Sequence, residues 1–148
     1  TNTAFSLEES ISIDGNSGPY LQYTYARCRS VLSKSPPAKQ DPASQDNLPN
    51  LPYSPNPEEL AILRWIYRFP EVIQETAVQY SPNLICTFLY ELAQRFNTFY
   101  NKHRILESNE QKTENNEQTE FRLMLTSAVS QVLKNGLTLL GIQAPNAM

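Results

Sequence analysis

Three side chains near the start of the chain, Tyr20, Tyr23 and Arg27, stand three and four residues apart. On a helix turning about 100° per residue they share a face, which offers two flat rings beside a guanidinium. Every nucleobase has a π surface that can lie on Tyr, and Arg supplies either a cation over a ring or a fork to a phosphate. Single-stranded RNA with its bases unstacked is the ligand this chemistry suits. The same spacing also fits tyrosines that simply pack on a neighbouring helix with their hydroxyls at the rim, and spacing alone leaves both readings open. Residues 92–106 interleave Arg95, Lys102 and Arg104 with Phe99 and Tyr100 and contain no acid. Residues 20–34 carry Arg27, Arg29 and Lys34 and again no acid. Basic residues set among aromatics are the expected footprint of RNA recognition, although a solvated basic helix face shares it.

Other reactive side chains are few. Cys28, Cys86 and His103 cannot fill a tetrahedral zinc site, and two cysteines give no disulfide framework, which fits a reducing, cytoplasmic setting. Cys86 and His103 lie about 17 residues apart on what reads as one helix, roughly 25 Å, so they form no thiolate and imidazole pair. Cys28 falls on an apolar stripe. The paired acids Glu8-Glu9 and Glu58-Glu59 sit beside a terminus and a helix start, where the helix dipole suffices to account for them. No Gly-rich or His-containing phosphate loop occurs, so the segment is expected to catalyse nothing by itself.

The elements that must position these residues read as helices. The chain has 148 residues, enough for one domain with a core. It carries 12 Lys and Arg against 15 Asp and Glu, a formal charge of -3, so any nucleic-acid site must be a local patch. Its longest apolar run, 60–63, is far short of the roughly 18 residues that span a bilayer, and no signal-peptide pattern opens it. The missing initiator Met suggests a piece of a longer chain. Seven of the 11 prolines fall within 33–57, a polar stretch expected to be a loosely attached insert. Residues 107–118 form a second polar, acidic connector.

Elsewhere apolar residues recur at three- and four-residue steps, and Gly is scarce. Ser17-Gly18-Pro19, Asn56-Pro57 and Ser81-Pro82 are start signals. The first helix docks through Leu21, Tyr25, Cys28 and Leu32, about 130° from the Tyr20, Tyr23 and Arg27 face. Pro70 separates helices over 58–69 and 71–80. A long helix over 82–103 buries Leu84, Ile85, Phe88, Leu89, Leu92, Phe96 and Phe99. The last begins near Glu120, buries Phe121, Leu125, Ala128, Val129 and Val132, and meets Asn135-Gly136 as a bend or cap. Trp65, near Leu60, Leu63 and Ile66, reads as core. The expected fold is an all-α bundle of about five helices in a single domain, 1–148.

The run from Gly15 through Pro19-Tyr20-Leu21-Gln22-Tyr23-Thr24-Tyr25-Ala26 to Arg27 closely resembles the opening of the C-terminal, all-helical anticodon-binding domain of arginyl-tRNA synthetases. Arg95-Phe96-Asn97-Thr98-Phe99-Tyr100-Asn101-Lys102 resembles the same domain, as does the ending from Asn135-Gly136-Leu137 through Leu140-Gly141-Ile142 to Met148. The three matches keep the expected order and bracket nearly the whole chain. The resemblance implies the DALR-type helical bundle of class Ia synthetases. It implies binding of the tRNA(Arg) anticodon loop, alongside a catalytic domain of the same full-length chain that uses ATP with Mg. No cofactor is implied for this segment, and no membrane partner.

By position, the resemblance gives Tyr20 and Tyr23 to the face toward the anticodon loop, with Arg27 beside them for base or phosphate. It gives Tyr100 an anticodon base to stack on. Four residues on, where the eukaryotic-type pattern has Trp, stands Arg104, whose guanidinium is the expected substitute. Met148 matches an ending that approaches the loop. The run Val31-Leu32-Ser33-Lys34-Ser35 imitates the second class I signature, Lys-Met-Ser-Lys-Ser, but follows the tyrosine-rich helix where the family's loop precedes it, and it lacks the leading Lys. The family's His-Ile-Gly-His signature is absent. The reading from a different class is a helical protein-interaction module whose aromatic and basic face meets a partner protein.

Overall fold

The computed structural model describes residues 6–8, 15–35, 53–106 and 116–145. The interior of the Pro-rich insert, most of the acidic connector and Met148 lie outside them. Five long helices carry the described structure: α1 Gly18–Ser33, α2 Pro57–Tyr67, α3 Phe69–Gln79, α4 Asn83–Lys102 and α5 Asn116–Leu139. No strand occurs among the described residues.

Local chemistry explains the helix starts. The Ser17 hydroxyl accepts from the Tyr20 amide at 3.3 Å, with Pro19 in the first turn of α1. Asn56 opens α2 with a reciprocal box: its side chain accepts from the Glu59 amide, and the Glu59 carboxylate accepts from the Asn56 amide, both at 2.8 Å. Helices α2 and α3 part at Arg68, which caps the end of one and the start of the other, so Pro70 lies inside the first turn of α3 and does not itself form the break. Ser81 does not cap α4. Its hydroxyl donates to the Gln79 carbonyl, and Pro82 occupies the cap position without a side-chain bond.

Asn135-Gly136 does not end α5, which begins at Asn116, ahead of the expected Glu120, and runs on to Leu139. A Cβ on Gly136 would fall 2.6 Å from the Leu89 methyls, so this glycine lets α4 and α5 approach closely. The stop belongs to Gly141, whose φ of +74° is left-handed, followed by the Ile142 amide donating to the Leu137 carbonyl at 2.9 Å.

The core follows the apolar stripes. Leu21, Tyr25, Cys28 and Leu32 of α1 are all buried, as are Ile85, Phe88, Leu89, Leu92, Phe96 and Phe99 of α4. Leu125, Val129 and Val132 of α5 are buried, joined by Leu123, Leu133 and Leu137, whereas Leu84, Phe121 and Ala128 stay partly exposed. The 31–35 run is the end of α1 and its cap turn, with the Ser35 hydroxyl donating to the Leu32 carbonyl at 2.8 Å.

One polar cluster crosses this core. Glu59 is fully buried, and its carboxylate accepts from Arg122 Nε at 2.7 Å and from the Tyr53 hydroxyl at 2.9 Å in addition to its cap bond. Arg122 also donates to the Arg104 carbonyl at 2.8 Å and lies over the Phe99 ring. A helix dipole alone therefore does not account for Glu59: it anchors α2 to α5 and to the chain leaving α4.

Candidate nucleic-acid interface

Arg27 leaves α1 toward α4 and sits between two aromatic rings. Its guanidinium carbon is 4.8 Å from the Tyr23 ring centroid and 4.9 Å from that of Tyr100. Tyr23 is 39% exposed and Tyr100 38%, so each ring gives one part to Arg27 and leaves another for a ligand. Arg27 donates to the Tyr23 hydroxyl at 3.2 Å and to Asn97 Oδ1 at 2.6 Å. Asn97 Nδ2 in turn donates to the Tyr20 hydroxyl and to Thr24 Oγ1, both at 3.0 Å. Thr24 donates to the Tyr20 carbonyl, which turns its hydroxyl oxygen toward Asn97.

This arrangement brings Tyr23, Arg27 and Tyr100 together. Tyr20 is only half exposed: its ring tilts against Tyr90 at 5.5 Å and its hydroxyl is held by Asn97. It is a wall and not an open platform, lining a cleft of about 520 Å³ with Gln94, Arg95, Asn97, Thr98 and Asn101. On the other side Tyr100 lines a cavity of about 290 Å³ with Arg104, Lys34 and His103, its apolar surface coming from Val31, Ile105 and Leu106. Arg104 is exposed, and Arg122 fixes its backbone from below. Met148 lies outside the described residues. Trp65, expected in the core, is only partly buried: it stacks on Phe88 at 5.6 Å and donates to the Phe88 carbonyl, while Arg95 at 4.0 Å and Arg68 at 4.9 Å lie over its ring.

Spacing within one helix did not reveal Asn97 or Thr24 as parts of this site, whereas Lys34 belongs to the acid-free basic stretch that the sequence offered.

Among the described residues the two cysteines and Glu58 do not form a reactive centre. Burial pushes the Cys28 thiol far above its usual range, against a weaker pull from Arg27, and burial raises Cys86 also. Glu58 is held below the usual carboxylate range by the hydrogen bond from Lys102, which reaches it at 3.2 Å. Among the described residues no group of three potential metal ligands occurs. No described helix is long and apolar enough to cross a membrane.

Residues 21–148 match the family described as the DALR anticodon binding domain. The chain belongs to that family. The DALR domain seen here is similar along nearly its whole length to the arginine–tRNA ligase of Parabacteroides distasonis, 37% identical over 147 residues that cover 99% of this chain and 23% of that protein. The ligase of Streptococcus uberis is 40% identical over 147 residues, 97% of this chain and 23% of its own. Among solved structures, Thermus thermophilus arginyl-tRNA synthetase superposes with a TM-score of 0.73 at 30% identity, and that of Plasmodium falciparum with 0.75 at 27%. Each match covers 97% of this chain and 23% of the other. The chain thus spans about a quarter of the length of the relatives it matches.

Proposed function

We propose that this DALR domain binds the anticodon loop of tRNA(Arg) and positions the tRNA for aminoacylation by the remainder of an arginine–tRNA ligase. The observation that carries the reading is the Tyr23, Arg27 and Tyr100 sandwich, exposed at both rings and locked from beneath by Asn97. Splayed bases stack on Tyr23 and Tyr100, Arg27 gives charge to a base or phosphate, and Tyr20 borders the first base. Arg104 offers a second guanidinium across the cavity beside Tyr100, and Met148, outside the described residues, is included as a contact on the family resemblance alone. ATP and magnesium act in the catalytic domain of the full-length ligase, not in this segment. The domain's share in catalysis is binding energy that sets the acceptor end in place.

Stacking on an aromatic side chain is worth about 1 to 3 kcal/mol per base, or roughly five- to 150-fold. In the full-length ligase, Tyr23→Ala and Tyr100→Ala should each lower kcat/KM for tRNA(Arg) within that range while the KM values for arginine and ATP stay constant. Steady-state charging assays read this directly, and unchanged tRNA use by both variants removes the rings from the site.

A further inference from the structure

The side of α1 turned away from Arg27 carries a second cluster for which the anticodon reading has no use. A cleft of about 280 Å³ lies between α1 and α5, with Arg29 contributed by α1 and Ser127, Ser130, Gln131 and Lys134 by α5. Buried Tyr25 and Leu32 line its depth, and its accessible lining is almost wholly polar. The four α5 residues recur at three- and four-residue steps, so they form one stripe facing α1. Neither wall supplies an acid: residues 15–35 and 121–145 contain no Asp or Glu. Among the described residues Arg29 and Lys134 have no ion-pair partner, and the Ser127 and Ser130 hydroxyls make no hydrogen bond. Gln131 donates to Asn135 within α5. By helical rotation Arg29 stands about 160° from Arg27, so RNA seated on Tyr23 and Tyr100 does not reach it.

We infer that this cleft seats an Asp or Glu side chain projecting from the part of the ligase outside this chain, so that the domain is held by its back while its aromatic face meets RNA. The inference rests on the chain being one domain of a longer ligase, of which its relatives show it to span about a quarter. Two cations and two hydroxyls without a hydrogen bond, Ser130 nearly buried, line one recess with no acid on either wall, and this set is complementary to an oxyanion. The guanidinium fork matches a carboxylate in two parallel bonds. A recessed slot between two helices accepts a group that protrudes on its own stem, as a carboxylate side chain does, whereas a phosphodiester lies in line with its backbone. Docking from behind also fixes the distance between the RNA-reading face and the body of the enzyme.

The test uses the full-length ligase with a benzophenone amino acid at Gln131, irradiated without RNA, and the products mapped by mass spectrometry. The expected result is a crosslink to an Asp- or Glu-containing peptide from outside this chain. Arg29→Glu combined with Lys134→Glu should lower its yield at least fivefold, while Arg29→Lys keeps most of it. Crosslinks confined to this domain, a yield that the charge reversal leaves unchanged, or a crosslink that forms only with tRNA once tRNA(Arg) is added would each overturn the inference. Since the reaction contains no RNA, a failed anticodon reading shows itself separately, as normal charging by Tyr23→Ala and Tyr100→Ala with the crosslink intact.

Discussion

Every polar atom of the Asn97 side chain bonds to α1: the oxygen takes Arg27 and the nitrogen reaches Tyr20 and Thr24. Removing it leaves a part-buried guanidinium and hydroxyl without their partners, at a cost of about 1 to 3 kcal/mol. Asn97→Ala should therefore raise KM for tRNA about as much as losing a stacking ring does, though Asn97 need touch no base. Asn97→Asp should lose less, because its carboxylate still holds Arg27. The comparison of the two KM values in the charging assay separates positioning from bulk destabilisation, which lowers the apparent kcat with every substrate and leaves the KM values unchanged. Tyr20, Tyr23 and Arg27 could be grouped from sequence because rings and cations recurring at helical spacing mark a shared face whatever that face meets, whereas Tyr100, on another helix, was pointed to by the family resemblance. Asn97 was not legible by spacing, because its partners lie 70 to 77 residues away and spacing rules reach only along one helix.

Between elements, two contacts set how closely the helices can lie, and both eluded a reading by spacing. The Glu59 and Arg122 pair is buried, and taking one partner away strands a charge at a cost of about 3 to 5 kcal/mol. Urea unfolding of Arg122→Met should show a loss of that size, together with weakened tRNA use because the Arg104 backbone loses its support. In sequence, Asn56-Pro57 marks the start of α2 and Glu59 reads as a dipole partner, with nothing to indicate an arginine on a distant helix. Gly136 poses the same difficulty. A glycine in sequence is compatible with a left-handed turn or with a close approach, and only Leu89 on α4 decides between them. Ala at this position gains about 1 kcal/mol of helix propensity, but its methyl meets fully buried Leu89, and overpacking costs about 1 to 3 kcal/mol. Gly136→Ala should thus lower the melting temperature, whereas Ala at an exposed mid-helix glycine would raise it.

At the scale of the whole molecule, a net charge of -3 argues against indiscriminate RNA coating, and the distribution of charge matters more than its sum. Arg27, Lys34 and Arg104 gather around Tyr100, while the acid-rich stretch from 107 to 120 is remote in sequence from the α1 residues of the site. Around Tyr100 these three cations are available to displace counterions. Each neutralised phosphate on a single strand contributes about 0.7 to the slope of log affinity against log salt. Binding of an anticodon stem-loop by the ligase should accordingly weaken with salt at a slope of about -1.5 to -2, shallow beside proteins that track long stretches of backbone. Lys34→Ala should flatten the slope by about 0.7 without changing discrimination among anticodon bases, since a lysine ammonium on phosphate carries no sequence information. Tyr100→Ala should do the reverse, leaving the slope intact while lowering affinity at every salt concentration. Fluorescence titrations of the two variants between low and physiological salt separate these outcomes, and a slope near zero for the unaltered protein would turn the aromatic face toward an apolar protein partner.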